Sequence, residues 1–309
     1  MLTDWALHLL NLNADCTNVV GIHLRISGGS MPNRPTHFFA AIRFRHLLRI
    51  LVLLMFWSTL LSFFGLKSSA ADNHLEKCSD PQHPQQSILF IGNSFTYYDN
   101  MPLTFSKLAK ERFPTRELKV YFQAGPGYQL WQHARDKDTR PTLMNSGKWD
   151  FVVLQEQSEM PLAPNTLKTM YQSCRWLDQR IQQIHGRTVL LMTWCDLDKP
   201  QDQIPISKAY RDIARQLGAI LIPAGDLFLE VTQKAPSIAL YDQDKHHPSH
   251  YGSLLVACLS EAILLQTKSE LEEIVKHHNY PNIAHKDPIE QKLQEYADEF
   301  AMREMSHPH

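Results

Sequence analysis

The 309-residue sequence contains only five cysteines and carries no excess of charge, with 31 Lys and Arg against 32 Asp and Glu. Five cysteines in a chain of this length do not make a disulfide scaffold. Because the charges balance, no strongly basic face is available for a phosphate backbone, and nucleic-acid binding is not expected as the main role. A hydrophobic content of 43% and a charged content of 20% exclude a disordered, collagenous or multi-span membrane chain.

A single long uncharged hydrophobic segment spans residues 50–66, preceded by Arg43, Arg45 and Arg49 and followed by Lys67 and small residues. This order of a basic, an apolar and a small-residue region is typical of a secretory signal. The segment is at the short limit for crossing about 30 Å of hydrocarbon, so an uncleaved signal anchor is the alternative. The flanking charges disfavour a buried core helix. We expect an exported protein, periplasmic or secreted, that contacts a membrane only if the segment is uncleaved.

Residues 1–30 are interpreted as a misassigned start, since Met31 lies where a shorter signal would begin. Four cysteines remain after residue 71, an even number in a compartment that permits disulfides, and their spacings fit no metal motif. They are Cys78, Cys174, Cys195 and Cys258. We divide the chain into an N-terminal extension (1–71), a polar linker (72–86), a folded domain (87–266) and a C-terminal polar segment (267–309).

Beyond the linker, short apolar runs alternate with helical periodicity. Five runs are continuously apolar, as in parallel strands that helices cover on both faces. They are 88–91, 120–122, 151–154, 189–192 and 220–222. Apolar helical stripes lie at 167–184 and 206–217, and a last amphipathic helix at 289–300 is expected to pack on the domain without chemistry of its own. We predict a three-layer, doubly wound α/β fold with a five-stranded parallel sheet that binds ligands where its strands end.

The first apolar run leads into Gly92-Asn93-Ser94-Phe95-Thr96. A serine directly after a buried strand can present its hydroxyl at the ligand edge, although such a serine is more often a helix cap or a turn residue. The segment lacks the Gly-x-Ser-x-Gly elbow of the α/β-hydrolase fold, because Thr96 replaces the second glycine. It also lacks the Gly-Lys-Ser/Thr end of a phosphate loop, so nucleotide hydrolysis is not supported.

A cluster of acids and histidines precedes the last apolar helix of the domain. Asp244 and His247 are three residues apart, so one tight turn can bring the carboxylate to the imidazole Nδ1–H and fix its tautomer. Asp242 is the alternative acid. A nucleophilic serine needs such a partner, because its free hydroxyl is protonated at neutral pH. Two other hypotheses are a metal site at His246, His247 and His250, which would need a suitable geometry, and surface histidines beside a helix cap.

Four blocks of the sequence, each beside its proper predicted element, resemble in order the blocks of the SGNH (GDSL-type) hydrolase superfamily. They are Gly-Asn-Ser-Phe-Thr (92–96), Ala-Gly-Pro-Gly-Tyr-Gln-Leu (124–130), Leu-Gln-Glu-Gln-Ser (154–158) and Asp-Lys-His-His-Pro-Ser (244–249). The resemblance spans residues 87–265 and implies the flavodoxin-like fold of that superfamily. The sequence is most similar to a branch with this opening block and this third block, and that similarity implies no particular substrate.

The resemblance implies a role for each matching residue. Ser94 matches the nucleophile, His247 the base that accepts its proton, and Asp244 the acid that orients this base. Gly127 matches the glycine whose backbone N–H, with that of Ser94, faces the developing oxyanion. In such sites each donor stabilises the transition state by about 3 to 4 kcal/mol.

The third block departs from the family pattern. The family commonly has Gly-x-Asn-Asp, whereas this chain reads Gln155-Glu156-Gln157-Ser158, so the asparagine donor is missing. Gln157 carries the same amide one methylene further out and is expected to complete the oxyanion hole, with Gln155 as the competing candidate.

Several aromatic and histidine residues have structural interpretations. Trp131, Trp149 and Trp194 are expected mainly to pack, but Trp194 follows a strand at the ligand edge and is the best candidate for touching substrate. His133 is expected on a helix surface, and His246 in solvent.

The resemblance and the expected export together imply an exported serine esterase that hydrolyses O-acetyl or other short acyl esters on a carbohydrate or cell-envelope glycan. The reaction would pass through an acyl-enzyme on Ser94, with no metal or organic cofactor. A lipid ester or thioester hydrolase of the same fold is one alternative. A non-catalytic binding domain that kept the fold is the alternative from another class of protein.

Overall fold

The computed structural model describes residues 85–145, 149–277 and 287–306, which contain a parallel sheet between two layers of helices. The strands are β1 (Gln85–Gly92), β2 (Glu117–Ala124), β3 (Phe151–Leu154), β4 (Arg187–Leu191) and β5 (Ile220–Ile222). They pair in parallel in the order β2-β1-β3-β4-β5. This is the flavodoxin-like order of a doubly wound sheet, so the predicted fold class is confirmed. The extension, its hydrophobic segment and the linker up to residue 84 lie outside the described residues.

The connections between the strands are helical. The helices are α1 (Ser94–Tyr97), α2 (Met101–Arg112), α3 (Leu130–His133), α4 (Thr139–Asn145), α5 (Pro164–Gln183), α6 (Gln203–Leu217), α7 (Ala224–Lys234), α8 (His250–Leu265), α9 (Lys268–His277) and α10 (Pro288–Ser306). Helices α2, α7, α8, α9 and α10 pack on one face of the sheet, and α3, α4, α5 and α6 on the other. The apolar stripes predicted at 167–184 and 206–217 form the buried faces of α5 and α6.

Each face of the sheet has its own hydrophobic core. Successive side chains of a strand point to opposite faces, so in β1 Ile88 and Phe90 join one core while Leu89 and Ile91 join the other. All four side chains are fully buried. Burial of a large apolar side chain contributes about 1.5 to 3 kcal/mol, which explains why the central strands are continuously apolar.

Strand β2 differs from this expectation, because it lies at the edge of the sheet and alternates between exposed and partly buried residues. Tyr121 and Phe122 are 52% and 51% exposed. The prediction that helices cover all five strands on both faces is wrong for β2.

Helix α10 packs on the domain, as predicted. Its Leu293 and Ala297 are fully buried in the core that α8 dominates. Beside them Arg112, at the end of α2, contacts Glu261 at 3.3 Å and Asp298 at 3.0 Å, with all three side chains almost fully buried. Burial raises the pKa of Glu261 to about 8, against the lowering effect of Arg112.

The described cysteines Cys174, Cys195 and Cys258 are buried free thiols, and Cys78 lies outside the described residues. Cys174 and Cys258 pack inside the two cores. Within the described ranges no helix has both the length and the hydrophobicity needed to cross a bilayer. The predicted signal segment, 50–66, is not among those ranges.

Candidate active site

Ser94 begins α1 at the point where β1 ends, and Asn93 caps this short helix. The Asn93 side-chain oxygen accepts a hydrogen bond from the backbone N–H of Phe95 at 3.1 Å. The other end of the same amide donates to the carbonyl of Tyr128 at 3.0 Å. Buried Asn93 therefore holds the nucleophile segment and the loop after β2 in one arrangement.

Ser94, His247 and Asp244 form a continuous hydrogen-bonded chain. The Ser94 hydroxyl lies 3.0 Å from His247 Nε2, although 153 positions separate the two residues, and His247 Nδ1 lies 2.6 Å from the Asp244 carboxylate. The carboxylate can only accept at neutral pH, so Nδ1 carries the proton and Nε2 is free to accept the proton of Ser94. The hydrogen bond from His247 lowers the pKa of Asp244 to about 2, which keeps its carboxylate ionised.

Asp244 rather than Asp242 contacts the imidazole. The other oxygen of Asp244 accepts the backbone N–H groups of His246 and His247 at 3.0 and 2.9 Å. The turn between them is closed by Asp242, whose backbone N–H donates to the carbonyl of His247 at 2.9 Å, and by the left-handed conformation of Lys245 (φ 61°). The three-residue spacing seen in the sequence thus corresponds to one tight turn.

His246 also pairs with a carboxylate, so the expectation that it lies in solvent is wrong. Its Nδ1 lies 2.6 Å from Asp196, in the loop after β4, and its side chain is one-third exposed. The same loop donates the backbone N–H of Leu197 to the carbonyl of Lys245 at 2.9 Å. These contacts fasten the histidine turn to the end of β4.

Trp194 packs beneath the site, in line with the main expectation for the three tryptophans, and does not face substrate. It is 2% exposed and stacks between Phe95 and Phe228, with ring centroids 4.5 and 4.1 Å away. Its indole N–H donates to the carbonyl of His246 at 3.2 Å. The rings therefore join the segment of Ser94 to the histidine turn.

Tyr98 is a site neighbour that the sequence analysis missed. Its ring stacks on the imidazole of His247, with centroids 4.6 Å apart and planes 18° apart. Only its position four residues after Ser94 could have indicated this contact.

The three clustered histidines share no carboxylate, since His250 Nδ1 lies 2.6 Å from Asp99 and its Nε2 lies 3.4 Å from Glu290. Throughout the described ranges no group of three or more His, Cys, Asp or Glu side chains is arranged to hold a metal ion.

Gly127 lies in an open turn after β2. Its φ of 63° is in the left-handed region, which favours glycine, and nothing lies within 4 Å of the place where a Cβ would be. In the described part of the chain, no group accepts a hydrogen bond from the backbone N–H of Gly127 or of Ser94. Both N–H groups have the freedom that oxyanion donors require.

The two glutamines of the third block have different surroundings. The oxygen of Gln155 accepts from the Asn93 N–H at 2.9 Å and from the Thr96 hydroxyl at 2.8 Å, while its nitrogen donates to the carbonyl of Glu156. The amide of Gln155 is therefore occupied at both ends. Gln157 accepts from the Glu159 N–H at 3.0 Å, and its side-chain nitrogen contacts no other described acceptor. Gln155 is thus committed to structural hydrogen bonds, and Gln157 stays the predicted third donor.

His133 is buried, so its expected position on a helix surface is wrong. Its Nε2 donates to the carbonyl of Gly92 at 2.7 Å, and its Nδ1 accepts from the Thr139 hydroxyl at 3.0 Å. Burial lowers the pKa of His133, which keeps the ring neutral in this role. The imidazole fixes the end of β1 just before Ser94.

No protein-family model matches the sequence, and a comparison with curated proteins gives no match. Among solved structures, a DUF4886 family protein from Bacteroides uniformis is 17% identical, with 72% of this chain and 96% of that chain covered and a TM-score of 0.55. A protein from Slackia heliotrinireducens that is assigned to the SGNH hydrolases is 26% identical, with 56% and 95% covered and a TM-score of 0.47. The acetyl xylan esterase AlAXEase is 16% identical, with 55% and 96% covered and a TM-score of 0.46.

The likeness to the Bacteroides protein shows a common fold. At the carboxyl edge of this fold, the contacts of Ser94, His247 and Asp244 are those of a Ser-His-Asp triad, the arrangement of a serine hydrolase. The fold that the four sequence blocks imply is confirmed.

Proposed function

We propose that the protein is an exported serine esterase that removes O-acetyl or other short acyl groups, with a carbohydrate as the substrate. The observation that carries this proposal is the unbroken hydrogen-bonded chain from Ser94 through His247 to Asp244 at the carboxyl edge of the sheet. The predicted secretory signal at 50–66 supports export.

In the first half of the reaction, Ser94 Oγ attacks the ester carbonyl carbon while His247 Nε2 accepts its proton. The negative charge that develops on the carbonyl oxygen faces the N–H groups of Ser94 and Gly127 and the amide of Gln157. The ionised Asp244 stabilises the imidazolium form of His247. The imidazolium then gives its proton to the leaving alcohol as the ester C–O bond breaks, which leaves the acyl group on Ser94.

The second half repeats these roles with water. His247 Nε2 takes a proton from a water molecule, whose oxygen attacks the acyl carbon. The oxyanion forms in the same place, and its collapse releases the carboxylic acid and returns the proton to Ser94. Every proton transfer of the cycle thus passes through His247 Nε2, and the enzyme returns to its starting state.

Exposed side chains that follow the strands favour particular classes of substrate. Trp131, 38% exposed, follows the loop of Gly127 and offers an aromatic surface to a sugar ring. Leu162, Leu197 and Ile204 follow β3 and β4 and are 40%, 41% and 73% exposed. This aliphatic surface favours a second candidate, a lipid ester hydrolase with the same chemistry.

Both candidates are tested with p-nitrophenyl esters of increasing acyl length and with acetylated xylan. We expect turnover of the acetyl ester, loss of nearly all of it in Ser94→Ala, and unchanged turnover in the exposed control Ser306→Ala. A preference for long chains would favour the lipid candidate. A fluorophosphonate probe that fails to label Ser94, together with no turnover, would indicate a binding domain and refute the esterase.

A further inference from the structure

Glu156 is a fully buried carboxyl group that the steps above do not use. It is the second residue after the end of β3, and its relative exposure is 0%. Its backbone N–H donates to the hydroxyl of Tyr210 at 3.2 Å. Its side chain forms no ion pair with any cation in the described ranges.

One carboxylate oxygen of Glu156 accepts two backbone hydrogen bonds from two different loops. It accepts the N–H of Gln157 at 2.8 Å and the N–H of Leu130 at 3.0 Å. Leu130 begins α3, three residues after Gly127, and Gln157 is the candidate third donor. A single atom therefore joins the two loops that carry the donors other than Ser94.

The loops need such a connection. Gly127 has open space on its Cα and a left-handed φ, so its own contacts do not fix where its N–H points. Its position depends on its neighbours on both sides. Before it, the carbonyl of Gly125 accepts the Tyr128 N–H at 3.1 Å, and after it Asn93 holds Tyr128 and Glu156 holds Leu130. Without Glu156, the backbone N–H groups of Leu130 and Gln157 would lose their acceptor. Because an unpaired buried N–H is unfavourable, both would shift towards other partners.

The second oxygen of Glu156 is buried without a hydrogen-bond partner in the described chain. Burial raises the pKa of Glu156 to about 7, although the hydrogen bonds from Gln157 and Leu130 lower it. A half-satisfied buried carboxyl is unfavourable for folding, and such costs concentrate at functional sites.

We propose that Glu156 is a positioning residue of the oxyanion hole, which holds the backbone N–H of Gly127 and the side chain of Gln157 in register with Ser94. This inference rests on the proposed function. It assigns to Glu156 no contact with substrate and no proton transfer.

The test compares Glu156→Ala, which removes the acceptor, with Glu156→Gln, which keeps an acceptor oxygen. Asp298→Asn is the matched control, since Asp298 is a buried carboxyl of α10 that pairs with Arg112 and not with the loops of Gly127 and Gln157. The measurements are kcat, KM and the inhibition constant of a boronic acid that forms a tetrahedral adduct on the serine. Misplacement of an oxyanion donor is expected to lower kcat by up to about 100-fold.

We expect Glu156→Ala to lower kcat by about 10- to 100-fold, with KM within about twofold of the wild-type value and a matching loss of boronic-acid affinity. Glu156→Gln should recover most of this loss. Asp298→Asn should reduce stability without changing kcat. If Glu156→Ala does not fold, Glu156→Asp replaces it, because its shorter side chain also withdraws the oxygen.

A kcat within twofold of wild type in the alanine variant, or in the aspartate variant used in its place, would overturn the role of Glu156. So would equal losses in kcat and in boronic-acid affinity for the Asp298 control. If the wild-type protein itself shows no Ser94-dependent turnover, the proposed function fails and the role of Glu156 falls with it.

Discussion

Replacing Glu156 by glutamine is expected to change how stability depends on pH. In the unfolded chain the ordinary pKa of this carboxyl is 4.5, and in the folded protein burial raises it to about 7. The folded state then binds the proton more tightly than the unfolded state. The resulting stabilisation is complete below pH 4.5 and is lost as the pH rises through 7. The difference between the two pKa values corresponds to about 3 kcal/mol.

The neighbours of Glu156 do not obscure this effect. Burial, with the nearby charge of Glu156, raises the pKa values of Cys174 and Tyr210, so both stay neutral up to pH values well above 8. The glutamine side chain cannot ionise and keeps nearly the same volume. The difference between the two proteins therefore isolates the titration of Glu156.

The assay is urea unfolding of wild type and Glu156→Gln at pH 4.5 and pH 8. The free energy of unfolding of the wild type, relative to the variant, should fall by about 3 kcal/mol between the two pH values. A difference that stays constant within about 0.5 kcal/mol would refute the raised pKa. It would mean that water or a rearrangement compensates the buried charge.

Three further substitutions test the site and its support. Asp244→Asn should lower kcat by about 10²- to 10⁴-fold, because an amide favours the wrong tautomer of His247, and an unchanged rate of ester hydrolysis would contradict this. Gly92→Ala should lower the free energy of unfolding by about 1 to 3 kcal/mol, since the new Cβ would overlap two buried side-chain oxygens; an unchanged urea midpoint argues against it. Trp194→Ala should lower the free energy of unfolding by about 3 to 5 kcal/mol, whereas Trp131→Ala, at an exposed position, should lower it by about 0.5 kcal/mol. Equal urea midpoints for the two variants would contradict the stacking of Trp194.

The sheet was predictable because its central strands are buried on both faces. That burial produces the continuous apolar runs at 88–91, 151–154 and 189–192, which lie within or beside β1, β3 and β4. The run at 120–122 gave the position of β2 but not its exposure. A short apolar run has the same appearance in an edge strand as in a central one, and only the strand order separates them.

The meeting of Ser94 with His247 was predictable because parallel strands end at one edge, and the contact with Asp244 because three residues span one turn. The places of His133 and Trp194 were not. The sequence around His133, in a four-residue helix, gives no local indication that its ring bonds to the carbonyl of Gly92. A tryptophan after a strand can face outwards or inwards, and here the rings on either side decide.

The nucleophile and its two partners lie on different segments of the chain. Ser94 belongs to the end of a central strand, whereas Asp244 and His247 share one small turn. This turn contacts the loop after β4 through Asp196 and the segment of Ser94 through the ring of Tyr98. Acid and base therefore travel together, and a brief detachment of that turn would silence the serine while the sheet stays intact. On gradual heating, hydrolysis should fade at a lower temperature than the far-ultraviolet circular dichroism signal.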